Sequence, residues 1–324
     1  MTPDTTNPYP EQQEASMMAW RVHDFGSPEA MKFEPVPKPA PGPGEVLIRV
    51  RAAGVGPWDG WIRAGKSALP QPLPLTLGSD LSGDVVSIGA DVADLAVGDP
   101  VYGVTNPRFI GAYAQYAVAS TEMIARKPAT ISYADAASVP VIAVTAWHGL
   151  FDQAQLVSGQ KVLIHGAAGN VGAYAVQLAR RAGIEIIATA ARRDFAYLRE
   201  LGADTLVDYH SERFEDVARD VDAVLDLVGA ETQRRSFQIL RRGGKLISAV
   251  SPPDQDLARQ HGVEAAFFLV RVGTEYLTKI AELIDNGDLK TRVGVILPLE
   301  EAYVAHLMLE GVRIAPGGKI VLSV

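Results

Sequence analysis

The stretch "HGAAGNVG", His165 to Gly172, lies directly after the apolar run "KVLI" and directly before "AYAVQLARRAG". A pyrophosphate needs backbone N–H groups it can approach closely and a helix N-terminus whose dipole favours negative charge. This loop offers both. Gly169 lets the backbone approach the phosphates and Gly172 lets the helix pack closely, with Ala168, Asn170 and Val171 completing the cradle. Against the pattern G-x-G-x-x-G the first glycine is replaced by Ala167, and Gly166 takes over the strand exit. A glycine triplet alone is weak; its position between a strand and a helix in a series of βαβ units gives it weight.

The next strand ends "IIATAARRDF". An Asp or Glu at that tip would hydrogen-bond a free ribose 2′-hydroxyl and repel a 2′-phosphate. Small residues fill Thr189 to Ala191 instead, and Arg192 and Arg193 follow. A charge-assisted bond from either arginine to a 2′-phosphate is worth roughly 1.5 to 3 kcal/mol, about tenfold or more in preference, so the expected cofactor is NADP(H). Asp194 opposes this, although at a helix start it also serves the helix dipole. Gly229 after "LDLV", and Ser248 to Val250 after the following strand, fall at strand C-terminal ends, where such sheets bind ligands.

Other chemistries lack their residues. With no cysteine, disulfides, thiolate catalysis, iron–sulfur clusters and any Cys-bearing zinc site are excluded. The six histidines are dispersed without metal-ligand spacing, and His148 and His165 read as structural. No nucleophile elbow supports hydrolysis. A net charge of −8 with scattered basic residues argues against a nucleic-acid partner. No apolar run approaches the roughly 20 residues of a membrane span. The polar, Pro-rich start "MTPDTTNPYPEQQEAS" has no secretory apolar core, so residues 1–16 are expected to be a disordered leader and the protein cytoplasmic.

The elements that must position these residues divide the chain in two, as 324 residues suggest. From Ala19 to about Ala137 short apolar strands alternate with Gly and Pro, and "EVLIRVRA" has the period-2 pattern of an antiparallel β domain. From about Ser138 the strands "KVLIH", "IEIIATA", "DTLVDY", "DAVLDLVG" and "GKLISAV" look buried, with helical stretches between the first three. That predicts an α/β, doubly wound parallel sheet over 138–270. After about Arg271 two helical segments and the strand "GKIVLSV" return to the first domain, making it discontinuous, 17–137 and 271–324.

An ordered series spans nearly the whole chain: "HDFGSPEAM", "PGPGEVLIRVRAAGVGPWD", "LGSDLSGDVVSIGADVADLAVGDPVYG", "GAYAQYAV", "AVTAWHGL", "VLIHGAAGNVG", "LGADTLVDY", "VLDLVG" and "GKIVLSV". In order and spacing it resembles the medium-chain dehydrogenase/reductase superfamily, and within it the zinc-independent quinone oxidoreductase branch. The resemblance implies a GroES-like substrate domain joined to a Rossmann domain, with nicotinamide and substrate in the cleft between them, and a homodimer. Zinc-bearing relatives hold a catalytic metal on Cys and His, whereas Ser79 in "GSD" stands at the place of such a His. Without a Lewis acid to stabilise an alkoxide, alcohol oxidation is poorly supported. Hydride transfer to a quinone or α,β-unsaturated carbonyl needs less help, because conjugation spreads the developing charge. The expected function is NADPH-dependent reduction of such acceptors. The alternatives are an enoyl-thioester or other double-bond reductase and a non-catalytic NADPH-binding redox sensor.

The resemblance also carries residues over. Thr145 in "AVTA" matches a threonine close to the nicotinamide, and Phe268 and Val270 in "FFLVRV" match a segment lying along it. Tyr209 in "LVDY" matches the surroundings of the 2′-phosphate. Packing alone would also account for each. On the substrate side the branch usually has Asn before Pro-x-Asp and often Tyr two residues after the Asp; here "GVGPWDGW" has Gly56 and Trp61. Trp58 and Trp61 are expected to form an apolar stacking wall or else to pack in the core, Asp59 to be structural, and Tyr113 in "GAYAQY" to be either a substrate contact or a buried structural tyrosine.

Overall fold

Alternating apolar and polar residues in the first third of the chain give antiparallel strands with one buried face. They are β1 (Ser16–Val22), β2 (Met31–Pro37), β3 (Glu45–Val55), β4 (Leu75–Thr76), β5 (Asp80–Ile88), β6 (Pro100–Val104), β7 (Tyr116–Ser120) and β8 (Ile124–Arg126) in a computed structural model that describes residues 16–324. Of the expected leader, only Ser16 is described, as the first residue of β1; the rest lies outside the described residues. β1 pairs with β2 and β4, and β3 runs antiparallel between β5 and β7. Along β3, Val46, Ile48 and Val50 join a core with Leu77, Leu81 and Leu322, while Arg49 and Arg51 face out. A short helix, α1 (Pro57–Arg63), follows β3. Pro57 opens it, and the Asp59 carboxylate accepts the Gly56 N–H at 2.8 Å.

Two further helices, α2 (Tyr133–Ala137) and α3 (Pro140–Trp147), lead into a second unit. It runs β9 (Lys161–Ile164), α4 (Asn170–Arg181), β10 (Glu185–Ala190), α5 (Phe195–Leu201), β11 (Thr205–Asp208), α6 (Phe214–Val217), β12 (Val221–Asp226), α7 (Ala230–Ser236), β13 (Leu240–Ser248), α8 (Gln255–His261) and β14 (Glu264–Phe267). All neighbours are parallel, in the order β11-β10-β9-β12-β13-β14. This is the doubly wound Rossmann arrangement. The chain leaves β9 towards β10 on one side and later returns to β12 on the other, so the crevice opens above the C-terminal end of β9. β14 opens the apolar run Ala265 to Val270 and pairs as an edge strand through backbone bonds to β13.

Four elements complete the fold: α9 (Thr274–Asp285), β15 (Val293–Pro298), α10 (Ala302–Leu309) and β16 (Lys319–Ser323). β16 lies antiparallel on β3, with Ile320 opposite Val55, and carries β15 parallel on its outer side. The apolar face of α9 enters the core that also holds Val162 and Ile164 of β9, and the Tyr102 hydroxyl of β6 donates to Leu277 O at 2.6 Å. The two units are therefore packed through a continuous core. His148 falls just beyond α3, in a π-helical turn, His148–Gln153. Among the described residues no helix is long and apolar enough to cross a membrane.

Candidate active site

At the end of β9, Gly166 turns the chain with φ +67°, a left-handed conformation that favours glycine. The Gly169 N–H closes the turn on Gly166 O at 3.0 Å, and Gly169 caps α4. A Cβ on Gly172 would fall 2.3 Å from Gly166 O and 2.6 Å from the Ala167 Cα, so the first turn of α4 rests directly on the loop backbone. Ala167 is fully buried, and its N–H donates to Thr189 O at 3.2 Å. Its methyl therefore points into the core and leaves the crevice side free, which explains why alanine is compatible with this loop. His165 sits between the hydroxyls of Thr189 and Ser236, at 3.0 and 2.9 Å, and burial presses its pKa down to about 4. A neutral ring here braces the loop.

The neighbouring strand ends are organised by Asp226, which the sequence did not single out. Fully buried, it accepts the N–H groups of Val228 and Gly229 at 3.1 and 2.8 Å, Gln233 Nε2 at 2.9 Å and the Ser248 hydroxyl at 2.9 Å. Ser248 Oγ also accepts from the N–H groups of Val250 and Ser251. Ser248 was expected to meet the cofactor, but its hydroxyl is committed to shaping the loops after β12 and β13. An Asp closing the apolar run "AVLD" just before "LVG" is the signal that would have found this knot. At the tip of β10, Arg192 and Arg193 are exposed, and Arg193 Nε lies 3.8 Å from the Asp194 carboxylate. Such an exposed pair holds little energy, leaving the guanidinium free for a stronger anion. Tyr209, at the end of β11, presents an exposed ring beside His210.

A cavity of about 460 Å³ opens between the two units. One wall consists of Gly166, Gly169, Asn170, Val171 and Gly172 with Thr145, Val250, Phe268 and Val270; Trp58, Trp61, Ile62, Leu69 and Phe109 face them. Ala168 lies to one side, against Tyr174 and Tyr197. The Thr145 hydroxyl donates to Val141 O at 2.7 Å within its own helix, so towards the cavity its oxygen can only accept. Of the two readings of Tyr113, the structure has the buried structural tyrosine and not the substrate contact. It is fully buried outside the cavity, where its hydroxyl donates to Asp59 Oδ2 at 3.0 Å. Burial pushes its phenol well above the usual range. The Asp59 carboxyl, also buried and with Oδ1 unpartnered, is pushed up to about 7 by burial, against the Gly56 N–H and the Lys319 charge.

The departures at Gly56 and Ser79 have one physical cause. A Cβ on Gly56 would fall 2.3 Å from Cζ2 of Trp58, so the indole fills the space a side chain at position 56 would need. Its Nε1–H donates to Ser79 Oγ at 3.0 Å, and its ring lies 4.3 Å from the Lys319 ammonium. Lys319 in turn pairs with Asp80 at 3.0 Å, both essentially inaccessible. Burial raises the Asp80 carboxyl while Lys319 and the Val141 N–H pull it back. These residues do not fit a zinc ion: the hydroxyl accepts from an indole, and the carboxylate already faces a cation. Lys319 escaped notice because "GKIVLSV" reads as a strand opened by a solvated lysine.

Residues 42–129 match the alcohol dehydrogenase GroES-like domain family, and residues 201–322 match the zinc-binding dehydrogenase family. The chain is 33% identical over 289 residues to the 2-methylene-furan-3-one reductase of Solanum lycopersicum, covering 85% of this chain and 71% of that one. It is 32% identical to the chloroplastic NADPH-dependent alkenal/one oxidoreductase of Arabidopsis thaliana, covering 89% of this chain and 75% of that one. The solved structure of the quinone oxidoreductase from Coxiella burnetii superposes with a TM-score of 0.88 at 34% identity, covering 95% of this chain and 99% of that one.

Proposed function

The chain belongs to the medium-chain dehydrogenase/reductase superfamily of NAD(P)H-dependent oxidoreductases, with quinone oxidoreductase-like relatives, and on that premise we propose that it reduces quinones or α,β-unsaturated carbonyls with NADPH. The observation that carries this is the cavity, in which a wall of Trp58, Trp61 and Phe109 faces the dinucleotide loop across a space lined mostly by apolar groups. A flat conjugated acceptor stacks on such a wall and is held face to face with the cofactor ring, which is most of what hydride transfer requires. The names of the relatives, an alkenal/one oxidoreductase and a quinone oxidoreductase, agree with that class.

Gly166, Gly169 and the N-terminus of α4 would hold the pyrophosphate, with Arg192, Arg193 and Tyr209 around the 2′-phosphate. Thr145, Phe268 and Val270 would hold the nicotinamide ring. Once bound, the dihydronicotinamide supplies the hydride, two electrons and one proton, and is itself oxidised. An enone or a quinone would take that hydride at its electron-poor position together with one proton from water, giving the saturated ketone or the hydroquinone. Neither carboxylate near the cavity, Asp59 or Asp80, lines it, so water at its mouth is assigned as the proton source.

Loss of NADPH absorbance with benzoquinone, a naphthoquinone and an alkyl enone tests this directly. Tight NADPH binding without turnover of any of them would favour the redox-sensor alternative. Homodimerisation is proposed on the family resemblance, and light scattering measures it.

A further inference from the structure

Two charged side chains line the cavity, Lys319 and Arg108. Lys319 is neutralised by Asp80 at its floor. Arg108 lies at the mouth, on the loop between β6 and β7, exposed to solvent and lining the same cavity. Among the described residues its guanidinium has no ion-pair or hydrogen-bond partner, while its backbone is held at both ends: Arg108 N–H donates to Asn106 Oδ1 at 3.0 Å, and Arg108 O accepts from Gln71 Nε2 at 3.1 Å. The loop is braced further. The Thr105 hydroxyl and the Asn106 amide both donate to Ile110 O at 2.7 Å, and Phe109 is fixed at φ +61°, a left-handed conformation uncommon for an aromatic residue. Strain of this kind persists where surrounding bonds over-determine it and is concentrated at functional sites.

We propose that Arg108 is a specificity residue which selects conjugated carbonyl acceptors carrying an anionic group, a carboxylate or a phosphate, at the end remote from the reacting carbon. This rests on the reductase reading of the cavity. The braced loop fixes where the guanidinium can reach, and its planar fork can meet a carboxylate or phosphate through two parallel bonds. The protein carries a net charge of −8, so a cation at the cavity mouth attracts an anion locally where the chain as a whole repels it. The apolar wall next to it, Trp61, Leu69 and Phe109, binds the flat body of the acceptor, and the charge then fixes which end enters first.

The test uses paired acceptors that share one conjugated group, one member anionic and the other neutral. One pair is 4-carboxychalcone and its methyl ester; the other is crotonyl-CoA and the crotonyl thioester of N-acetylcysteamine, which reports a phosphate-bearing tail. The ratio of kcat/KM for the charged member over the neutral one is expected to fall about tenfold in R108Q for at least one pair, through KM, and to recover in R108K. The pair that responds identifies the anion as a carboxylate or a phosphate tail. The KM for NADPH is expected to stay within twofold. Unchanged ratios in both pairs, or an NADPH KM that rises as much as the acceptor KM, would overturn the proposal. If no acceptor turns over, the reductase reading itself fails, and quenching of tryptophan fluorescence by 4-carboxychalcone, weakened in R108Q or not, still decides whether Arg108 binds the anion.

Discussion

Gly56→Ala isolates the contact on which the substrate wall depends. The backbone at Gly56 is extended, with φ −131° and ψ 163°, so alanine adopts it without strain and any cost is steric. Its methyl carbon would fall 2.3 to 2.5 Å from three atoms of the Trp58 ring, so the indole must move by about an ångström or more. That displacement breaks the bond from Nε1 to Ser79, worth about 1 kcal/mol, and loosens the stack on Lys319, worth up to about 2 kcal/mol when desolvated. Overpacking of this kind costs typically about 1 to 3 kcal/mol, and a Gly-to-Ala change returns about 0.4 to 1 kcal/mol through the unfolded chain. The expected net loss is about 2 kcal/mol, or about 3 °C in calorimetric Tm for a chain of 324 residues. In a Trp58→Ala background the obstructing ring is gone, and the same substitution is expected to be neutral or stabilising by about 0.4 to 1 kcal/mol. Equal costs in both backgrounds would refute the steric account and leave Gly56 unexplained.

Three further outcomes are expected. Replacing both Arg192 and Arg193 by alanine should weaken NADPH binding about tenfold or more with little effect on NADH; an unchanged affinity ratio would remove the 2′-phosphate site from that tip. Gly172→Ala pushes a methyl group against Gly166 O, and a titration should show NADPH affinity reduced by more than about tenfold. The Asp59 carboxyl is raised from 3.8 to about 7 by burial, so the folded state holds its proton where the unfolded chain has released it. Its stabilising contribution is complete below about pH 4 and is lost as pH rises to about 7, with a steepest slope of about 1.4 kcal/mol per pH unit. Asp59→Asn should remove that slope from urea-unfolding curves measured across the window, and an identical slope in the variant would show that the carboxyl is not raised.

The sheet of the second unit was legible because parallel strands covered on both faces must be apolar throughout, and β9, β10 and β12 are such runs. The glycines of the loop were legible for a related reason: at Gly172 a side chain has nowhere to go. β14 was not, since its apolar run continues through Val270 into the segment expected along the nicotinamide, and nothing local marks Glu264–Phe267 as an edge strand. Lys319 and Asp80 were illegible because their pairing joins positions 239 apart through the return of β16 to β3, and local pattern contains nothing of that distance. Tyr113 was legible only as a choice between a substrate contact and a buried structural ring. Its match to a family position was real in sequence, but the ring turns inward to Asp59, and only packing decides which way a tyrosine on a loop points. Likewise Ser248 sits at a strand end that binds ligands in such folds, yet its oxygen is already committed to Asp226.

The return of β16 to β3 also fixes an order of events during synthesis. Val55 is made 265 residues before Ile320, its partner across the sheet, and at about 5 to 20 residues per second the wait is on the order of 13 to 53 s. Throughout it the Ala52–Val55 end of β3, beyond the stretch that β7 covers, is an open row of backbone donors and acceptors, available to any neighbouring strand. The Rossmann sheet, whose six strands lie between Lys161 and Phe267, can close well before that. Emergence of β16 then covers the edge and sets Lys319 beneath Trp58 in the same step. A nascent chain is therefore at greatest risk of aggregation in the interval before it can present a finished cleft to any acceptor.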